Sequence, residues 1–95
     1  MKDCRGAGVY ETTVTVKNVP GIHARPAAVL VQRASLFRSV IQIGTGRLMV
    51  NAKSIMGVMM LAAETGTELT IRAEGGDERE AVESLKALFE ARFEE

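Results

Sequence analysis

The chain has 95 residues, a length that suits one domain with one hydrophobic core and is too short for two domains. Its hydrophobic fraction of 46% is ordinary for a globular protein. Twelve basic residues balance twelve acidic ones, which removes the electrostatic basis for binding nucleic acid. No stretch approaches the roughly 18 uninterrupted apolar residues of a membrane span, and the N-terminus lacks the apolar run of a signal peptide. The single cysteine permits no internal disulfide and no cysteine metal cluster, which fits a reducing cytoplasm.

The first half of the chain predicts a strand and then a helix. Residues 10–17 alternate between apolar and polar side chains, as in a half-buried strand, and Pro20 and Gly21 end it. A helix is expected to follow, with Pro26 in its first turn, where a missing N–H costs nothing. Its buried stripe is predicted to be Ala27, Leu30, Val31 and Ala34. Ala28 lies off this stripe and is expected to be exposed beside the start of the helix.

The second half predicts three more strands and two helices. Residues 39–43 and 48–51 form two strands around a glycine-containing turn at 44–47, and residues 67–73 alternate as a fourth strand. A short apolar helix over 53–61 is expected to begin at Ser54 as its N-cap. Asp77 and Glu80 form a capping-box pattern for the last helix. The apolar stripe of that helix is Ala81, Val82, Leu85, Leu88, Phe89 and Phe93.

Strands that alternate in this way predict an antiparallel sheet with helices covering one face, an α+β fold. The pattern leaves the order of the strands in the sheet open. It contains no internal repeat and no low-complexity tract.

One short stretch, residues 21–28, points to chemistry. It holds His23, the only histidine of the chain, at the junction between the first strand and the first helix. The free N–H groups of Ala24, Arg25 and Ala27 would carry the positive end of the helix dipole, which favours an anion. The Arg25 guanidinium adds a fork suited to phosphate oxygens. Histidine is nucleophilic near neutral pH, so the stretch is typical of a phosphorylatable histidine with its own anion site.

Other interpretations of these residues stay open on spacing alone. A lone histidine before a helix is most often a cap or a surface residue, and Arg25 can be a solvated residue at a helix start. The chain has no glycine loop of the Walker type and no metal-ligand set, so an autonomous kinase or hydrolase is not expected. We therefore expect no cofactor and no metal.

Two blocks resemble one known family. Residues 21–27, Gly-Ile-His-Ala-Arg-Pro-Ala, are similar to the active-site motif of the HPr family, the histidine-containing phosphocarriers of the bacterial sugar phosphotransferase system. Residues 50–59 resemble the regulatory-serine motif of the same family, in the same order and at the same separation. The similarity covers about residues 9 to 93. The turn at 44–47 departs from the family pattern, in which a Gly-Lys pair lies about one residue later.

The resemblance implies an open-faced sandwich of four antiparallel strands with three helices on one face, formed by residues 9–95 after a flexible extension at 1–8. It implies a phosphoryl carrier rather than an enzyme, monomeric and cytoplasmic. His23 would accept a phosphoryl group on Nδ1 from the phosphohistidine of enzyme I and pass it to sugar-specific IIA proteins. Arg25 matches the phosphate-steadying arginine of the family.

Ser54 matches the serine that the HPr kinase/phosphorylase modifies in some bacteria, and it is also a plausible N-cap. The helix that follows is too apolar to be buried entirely in so small a domain. Ile55, Met56 and Met59 are expected to face outward and, with Ala28, to form a docking surface for partners. The alternative is that the methionines fill the core.

A second functional hypothesis is a regulatory binding module, a Ser54-phosphorylated corepressor or adaptor that contacts a transcriptional regulator and carries little transport flux. Relatives of that kind have typically lost the histidine, whereas this chain keeps His23, which favours the carrier. Binding of RNA by a small α+β domain is not expected, because the chain lacks a basic face and surface aromatics.

Overall fold

The structure is a computed structural model that describes residues 8–18, 21–22, 24–61 and 63–93. The elements follow in the order strand, helix, strand, strand, helix, strand, helix. The strands are β1 (Val9–Thr15), β2 (Val40–Gly44), β3 (Met49–Asn51) and β4 (Glu68–Glu74), and the helices are α1 (Ala24–Ala34), α2 (Ile55–Met60) and α3 (Glu78–Glu90). The predicted α+β fold is confirmed, with four antiparallel strands and three helices.

The strands lie in the order β1-β4-β2-β3, so the last strand in sequence is one of the two central strands. The register pairs Val9 with Glu74 in β1 and β4, and Val40 with the same Glu74 in β2 and β4. One face of the sheet is exposed to solvent, and alternate residues of β4, namely Leu69, Ile71 and Ala73, are buried beneath the helices.

The core lies between the inner face of the sheet and the three helices. Its largest fully buried side chains are Phe89, Leu30, Ile41, Ile43, Leu69, Ile71 and Leu85. The α3 stripe is as predicted, with Ala81, Val82, Leu85, Leu88 and Phe89 buried and Phe93 half-buried. Burial of this apolar surface is the main favourable contribution to folding.

The α1 stripe differs from the prediction at its margins. Ala27, Leu30 and Ala34 are buried as expected, but Val31 is half-buried and Pro26 is buried in its place. Ala28 is half-buried, so its expected exposure is wrong. The reason is that α1 packs against both α2 and α3, so that fewer of its residues are left fully exposed to solvent.

The β2–β3 turn depends on one close approach of the backbone. A Cβ atom on Gly44 would lie 1.9 Å from the Leu48 carbonyl oxygen, so no other residue fits there. The Thr45 N–H donates to that same carbonyl oxygen at 3.1 Å, and the N–H groups of Arg47 and Leu48 point to the Thr45 hydroxyl. The turn at 44–47 is therefore closed by Thr45 rather than by a glycine with positive φ.

Asp77 lies at the N-cap of α3, but the predicted capping box does not form. Its side chain makes no capping hydrogen bond. The carboxylate instead accepts hydrogen bonds from the backbone N–H groups of Arg38 and Ser39, both at 2.9 Å, and from the Ser39 hydroxyl. The turn between α1 and β2 thus competes successfully for the carboxylate. The hydrogen bonds from the Ser39 hydroxyl and the Arg38 N–H lower the pKa of Asp77, against a smaller opposing effect of desolvation.

The segment before α1 is held by the segment after α2. The Ile22 N–H donates to the Ala63 carbonyl oxygen at 2.8 Å, and Gly21 forms an isolated antiparallel bridge with Glu64. Gly21 has φ of 122°, and a Cβ atom there would lie 2.5 Å from the Ala63 carbonyl oxygen. Glycine is therefore required at this position by conformation and by space.

We expect Asp77→Ala to destabilise the fold, because it leaves the Arg38 and Ser39 donors without their acceptor. The pKa of the Asp77 carboxyl is lowered in the folded state, so its contribution is present above the unfolded pKa and is lost as pH falls through the folded pKa. Urea unfolding at pH 7 and pH 3 checks this: the difference between wild type and Asp77→Ala should shrink at pH 3. Asp77→Asn is the matched control, with similar shape and no titrating group. An equal deficit of Asp77→Ala at both pH values would contradict the expectation.

We expect Gly21→Ala to destabilise the fold by on the order of 2 to 3 kcal/mol, because alanine would combine a strained φ with a backbone clash. Gly46→Ala is the matched control, since a Cβ atom on Gly46 would contact nothing within 4 Å. The control should stay within about 1 kcal/mol of wild type. Equilibrium unfolding in urea measures both, and equal effects of the two substitutions would contradict the role given to Gly21.

Candidate functional site: the start of α1 and the exposed face of α2

The start of α1 is described on both sides of His23, which itself lies outside the described residues. Gly21 and Ile22 are buried and bonded to the 63–64 segment, whereas Ala24 and Arg25 are exposed. The helix begins at Ala24, so the N–H groups of Ala24 and Arg25 have no acceptor within the helix. Ala27 is the fourth residue of the helix, where the first turn ends, and its side chain is fully buried.

This first turn has the local properties that favour an anion. No acidic residue lies in it, and Arg25 is exposed to solvent. The positive end of the helix dipole and the guanidinium of an exposed arginine both favour a phosphate oxygen. The roles of Ala24, Arg25 and Ala27 in holding a phosphoryl group remain predictions.

Ser54 is the N-cap of α2, as the sequence predicts. Its hydroxyl oxygen accepts a hydrogen bond from the Gly57 N–H at 3.1 Å, and its carbonyl oxygen accepts one from the Val58 N–H at 2.9 Å. Ser54 is half-buried. The hydroxyl oxygen therefore has a structural role in addition to any modification it receives.

The exposed face of α2 is apolar. Met56 exposes 71% of its surface, Met60 68%, and Ile55 and Met59 43% each, while Val58 is buried. We call these four exposed residues, Ile55, Met56, Met59 and Met60, the α2 patch. The interpretation of the methionines as core filler is therefore wrong for Met56, Met59 and Met60. The outward orientation of Ile55, Met56 and Met59 is as predicted, and their docking role remains a prediction.

The segments at the two ends of α2 are bonded to opposite ends of the α1 region. The Lys53 ammonium donates to the Phe37 carbonyl oxygen at 2.7 Å, which holds the start of α2 near the end of α1. At the other end, the Ala63 carbonyl oxygen bonds the Ile22 N–H, next to the start of α1. The residue before Ser54 is thus bonded near the end of α1, which is roughly 16 Å long, and the segment after α2 is bonded near its start. The α2 patch follows Ser54 directly and ends three residues before Ala63.

Sequence reasoning missed two residues next to the start of α1. The Asn18 side-chain amide donates to the Gly21 carbonyl oxygen, and the Thr65 hydroxyl donates to the Asn18 carbonyl oxygen, both at 2.7 Å. The signal that could have identified Asn18 was an asparagine directly after a strand and before Pro20-Gly21, a position where asparagine bonds nearby backbone. Thr65 carried no comparable signal.

Two kinds of site are not found in the part of the chain that the structure describes. No group of three histidine, cysteine, aspartate or glutamate residues is arranged there to hold a metal ion. Likewise, none of its helices is long and apolar enough to span a lipid bilayer.

The chain matches known proteins over most of its length. Residues 10–91 match the sequence profile of the family described as the PTS HPr component phosphorylation site. The phosphocarrier protein HPr of Treponema pallidum is 52% identical over 83 residues, which are 87% of this chain and 94% of the relative. The HPr-like protein Crh of Bacillus subtilis is 51% identical over 79 residues, 83% of this chain and 93% of Crh.

The fold agrees with solved structures of the same proteins. The crystal structure of HPr from Thermoanaerobacter tengcongensis superposes with a TM-score of 0.85 at 48% identity, covering 90% of this chain and 98% of that one. The relatives named phosphocarrier proteins are carriers rather than enzymes. The chain therefore belongs to the HPr family of phosphocarrier proteins of the phosphotransferase system.

Proposed function

We propose that this chain carries phosphoryl groups on His23, in the cytoplasm, between enzyme I and sugar-specific IIA proteins. The observation that carries the proposal is the match of residues 10–91 to a family defined by its phosphorylation site, with the only histidine of the chain directly before α1. Family members in which this role is known supply the donor and acceptor classes. This chain supplies the histidine, the anion-favouring first turn and the α2 patch.

The proposed transfer needs little beyond positioning and charge. A lone pair of the His23 ring attacks phosphorus in line, a new N–P bond forms, and the N–P bond of the enzyme I phosphohistidine breaks, with the electron pair leaving on the donor imidazole. The N–H groups of Ala24 and Arg25 and the Arg25 guanidinium stabilise the phosphoryl oxygens. Ala27 is proposed as a further backbone donor at the inner limit of the turn.

Partners are proposed to dock on the α2 patch with Ala28 at its margin. An apolar surface of this kind is unusual on a domain of this size, and flexible methionines suit a surface that must fit several partners. A standard protein interface covers about 800 Å² on each partner. An interface of that size centred on the α2 patch would reach both the start of α1 and Ser54. We propose that the chain is a monomer when it docks.

A second candidate function is regulatory. The match to Crh supports it, as does the position of the half-buried Ser54 directly before the α2 patch. Phosphorylation of Ser54 by an HPr kinase/phosphorylase would place a dianion at the edge of the docking surface, and a transcriptional regulator is the candidate partner of that form. The presence of His23 favours carriage as the main function, and both functions can coexist in one chain.

The first test is labelling from phosphoenolpyruvate through enzyme I. His23→Ala should retain the fold by circular dichroism and accept no label, because the ring that would form the N–P bond is gone. Wild-type label should be stable in base and labile in acid, as expected for phosphohistidine. Ser54→Ala is the control and should be labelled like wild type. Labelling of His23→Ala at the wild-type rate would exclude the carrier function.

The second test concerns Ser54. We expect Ser54→Asp to raise the concentration of this chain that half-saturates enzyme I by several-fold, because a negative charge beside the α2 patch must be desolvated or repelled on docking. The fold should be retained, since aspartate is also a good N-cap.

Ser54→Ala is the matched control for this second test. It loses the cap, which costs about 1 kcal/mol, but should dock like wild type. Enzyme I kinetics at low and high salt, together with melting temperatures, separate charge from structure. Equal half-saturation by Ser54→Asp and wild type would contradict an effect of Ser54 on docking.

A further inference from the structure

A buried asparagine lies five residues before His23 and belongs to no helix or strand. Asn18 exposes only 9% of its surface. Its side-chain nitrogen Nδ2 donates to the Gly21 carbonyl oxygen at 2.7 Å. Its backbone carbonyl oxygen accepts a hydrogen bond from the Thr65 hydroxyl, also at 2.7 Å. Because the Gly21 carbonyl oxygen can only accept, the side-chain atom that faces it must be Nδ2. This fixes the orientation of the amide.

The same orientation leaves Oδ1 of Asn18 buried and without a partner among the described residues. A buried acceptor without a donor is unfavourable, and such atoms in native proteins call for a specific reason, often at strained or functional sites. A side chain that contributed stability alone would not need this acceptor. Asn18 therefore suits a geometric role.

The contacts of Asn18 lead directly to the residue before His23. Its amide holds the Gly21 carbonyl oxygen, and the next N–H along the chain, that of Ile22, is held by the Ala63 carbonyl oxygen at 2.8 Å. The peptide unit that joins Gly21 to Ile22 is thus bonded on both sides. A shift of about 1 Å in a reacting group can cost on the order of 100-fold in rate.

We propose that Asn18 is a positioning residue for phosphoryl transfer: through Nδ2 it fixes the Gly21–Ile22 peptide unit from which His23 follows. The proposal rests on the proposed function, because it assigns Asn18 to the transfer at His23. A positioning role for Asn18 differs from a purely structural role in what it changes. A structural residue would change the stability of the fold, whereas a positioning residue changes the rate of transfer at a given stability.

The test compares two substitutions of Asn18 with one remote control. Asn18→Asp keeps the shape but replaces the donor with a carboxylate, and Asn18→Ala removes the amide altogether. Asp77→Ala is the control, because it removes hydrogen bonds at the opposite end of α1, near Arg38 and Ser39. Rates of transfer from phospho-enzyme I are measured over a range of concentrations of each variant, with urea unfolding alongside.

We expect both Asn18 variants to lower the saturating rate of transfer by roughly 10-fold to 100-fold. The half-saturating concentration should stay within about twofold of wild type, because the α2 patch is unchanged. Asp77→Ala should be less stable than wild type and keep the wild-type saturating rate. Wild-type saturating rates in both Asn18 variants, or an equal loss in Asp77→Ala, would overturn the proposal.

NMR of the free protein separates failure of this proposal from failure of the proposed function. His23 is the only histidine, so its ring signals are unambiguous. Both Asn18 variants should shift the His23 ring and Ile22 amide signals, and Asp77→Ala should not. If wild type accepts no phosphoryl group, the carrier function fails, and these signals alone decide whether Asn18 fixes the segment. Unchanged His23 and Ile22 signals in the Asn18 variants would overturn the positioning role.

A milder substitution covers the case in which neither Asn18 variant folds. Thr65→Val keeps the Asn18 side chain and removes only the hydrogen bond that the Thr65 hydroxyl donates to the backbone carbonyl oxygen of Asn18. Thr65→Val should lower the saturating rate several-fold, with the same shifts in the His23 ring signals. A wild-type rate and wild-type signals in Thr65→Val would overturn the proposal.

Discussion

The contact between Gly21 and Ala63 is the constraint on which the start of α1 depends. The two backbone segments approach so closely that a single methyl group on Gly21 would overlap the Ala63 carbonyl oxygen. That approach lets the Ile22 N–H bond to Ala63, and it joins the segment before α1 to the segment after α2. The backbone two residues before α1 is therefore held by the segment after α2. Any chemistry at the start of α1 depends on this contact.

A carrier must be recognised by unlike partners while it keeps one reactive group in a fixed place. In the proposed function, different parts of the chain perform these two tasks. Backbone hydrogen bonds hold the residues before His23, whereas the α2 patch consists of flexible side chains on a helix of six residues. Rigid backbone suits a reacting group, and deformable methionines suit varied docking surfaces. Ser54 caps α2 and directly precedes the α2 patch.

Much of the fold could be predicted from the sequence because the periodic signals are strong. The alternation in β1 and β4 and the stripe of α3 correspond to faces that are buried as expected. The Ser54 cap could also be predicted, because capping is a local interaction between neighbours in sequence. The order of the strands could not, since it depends on contacts between distant segments.

The misses have one physical cause, which is competition from distant partners. Asp77 was expected to cap α3, but two N–H groups and a hydroxyl from the α1–β2 turn bind its carboxylate instead. Ala28 was expected to be exposed, but two neighbouring helices narrow the free side of α1. Asn18 bonds one local partner, Gly21, which a local signal could have indicated, and one distant partner, Thr65, which the sequence could not indicate.

The place of β4 in the sheet has a consequence for how the chain folds. Among the described strands, β1 pairs with β4 alone, so Val9 must find Glu74 across most of the sequence. β2 pairs over more residues with β4 than with β3. On a ribosome, the sheet has no centre until β4 has left the exit tunnel. Until then, the β1 segment lacks the strand with which it pairs, and the α1 segment lacks the β4 part of the sheet on which the helices pack. Non-local pairing of this kind slows folding, because the entropy of closing a long loop opposes it before any contact compensates. We therefore expect the fold to form in one cooperative step, only once β4 is available to pair.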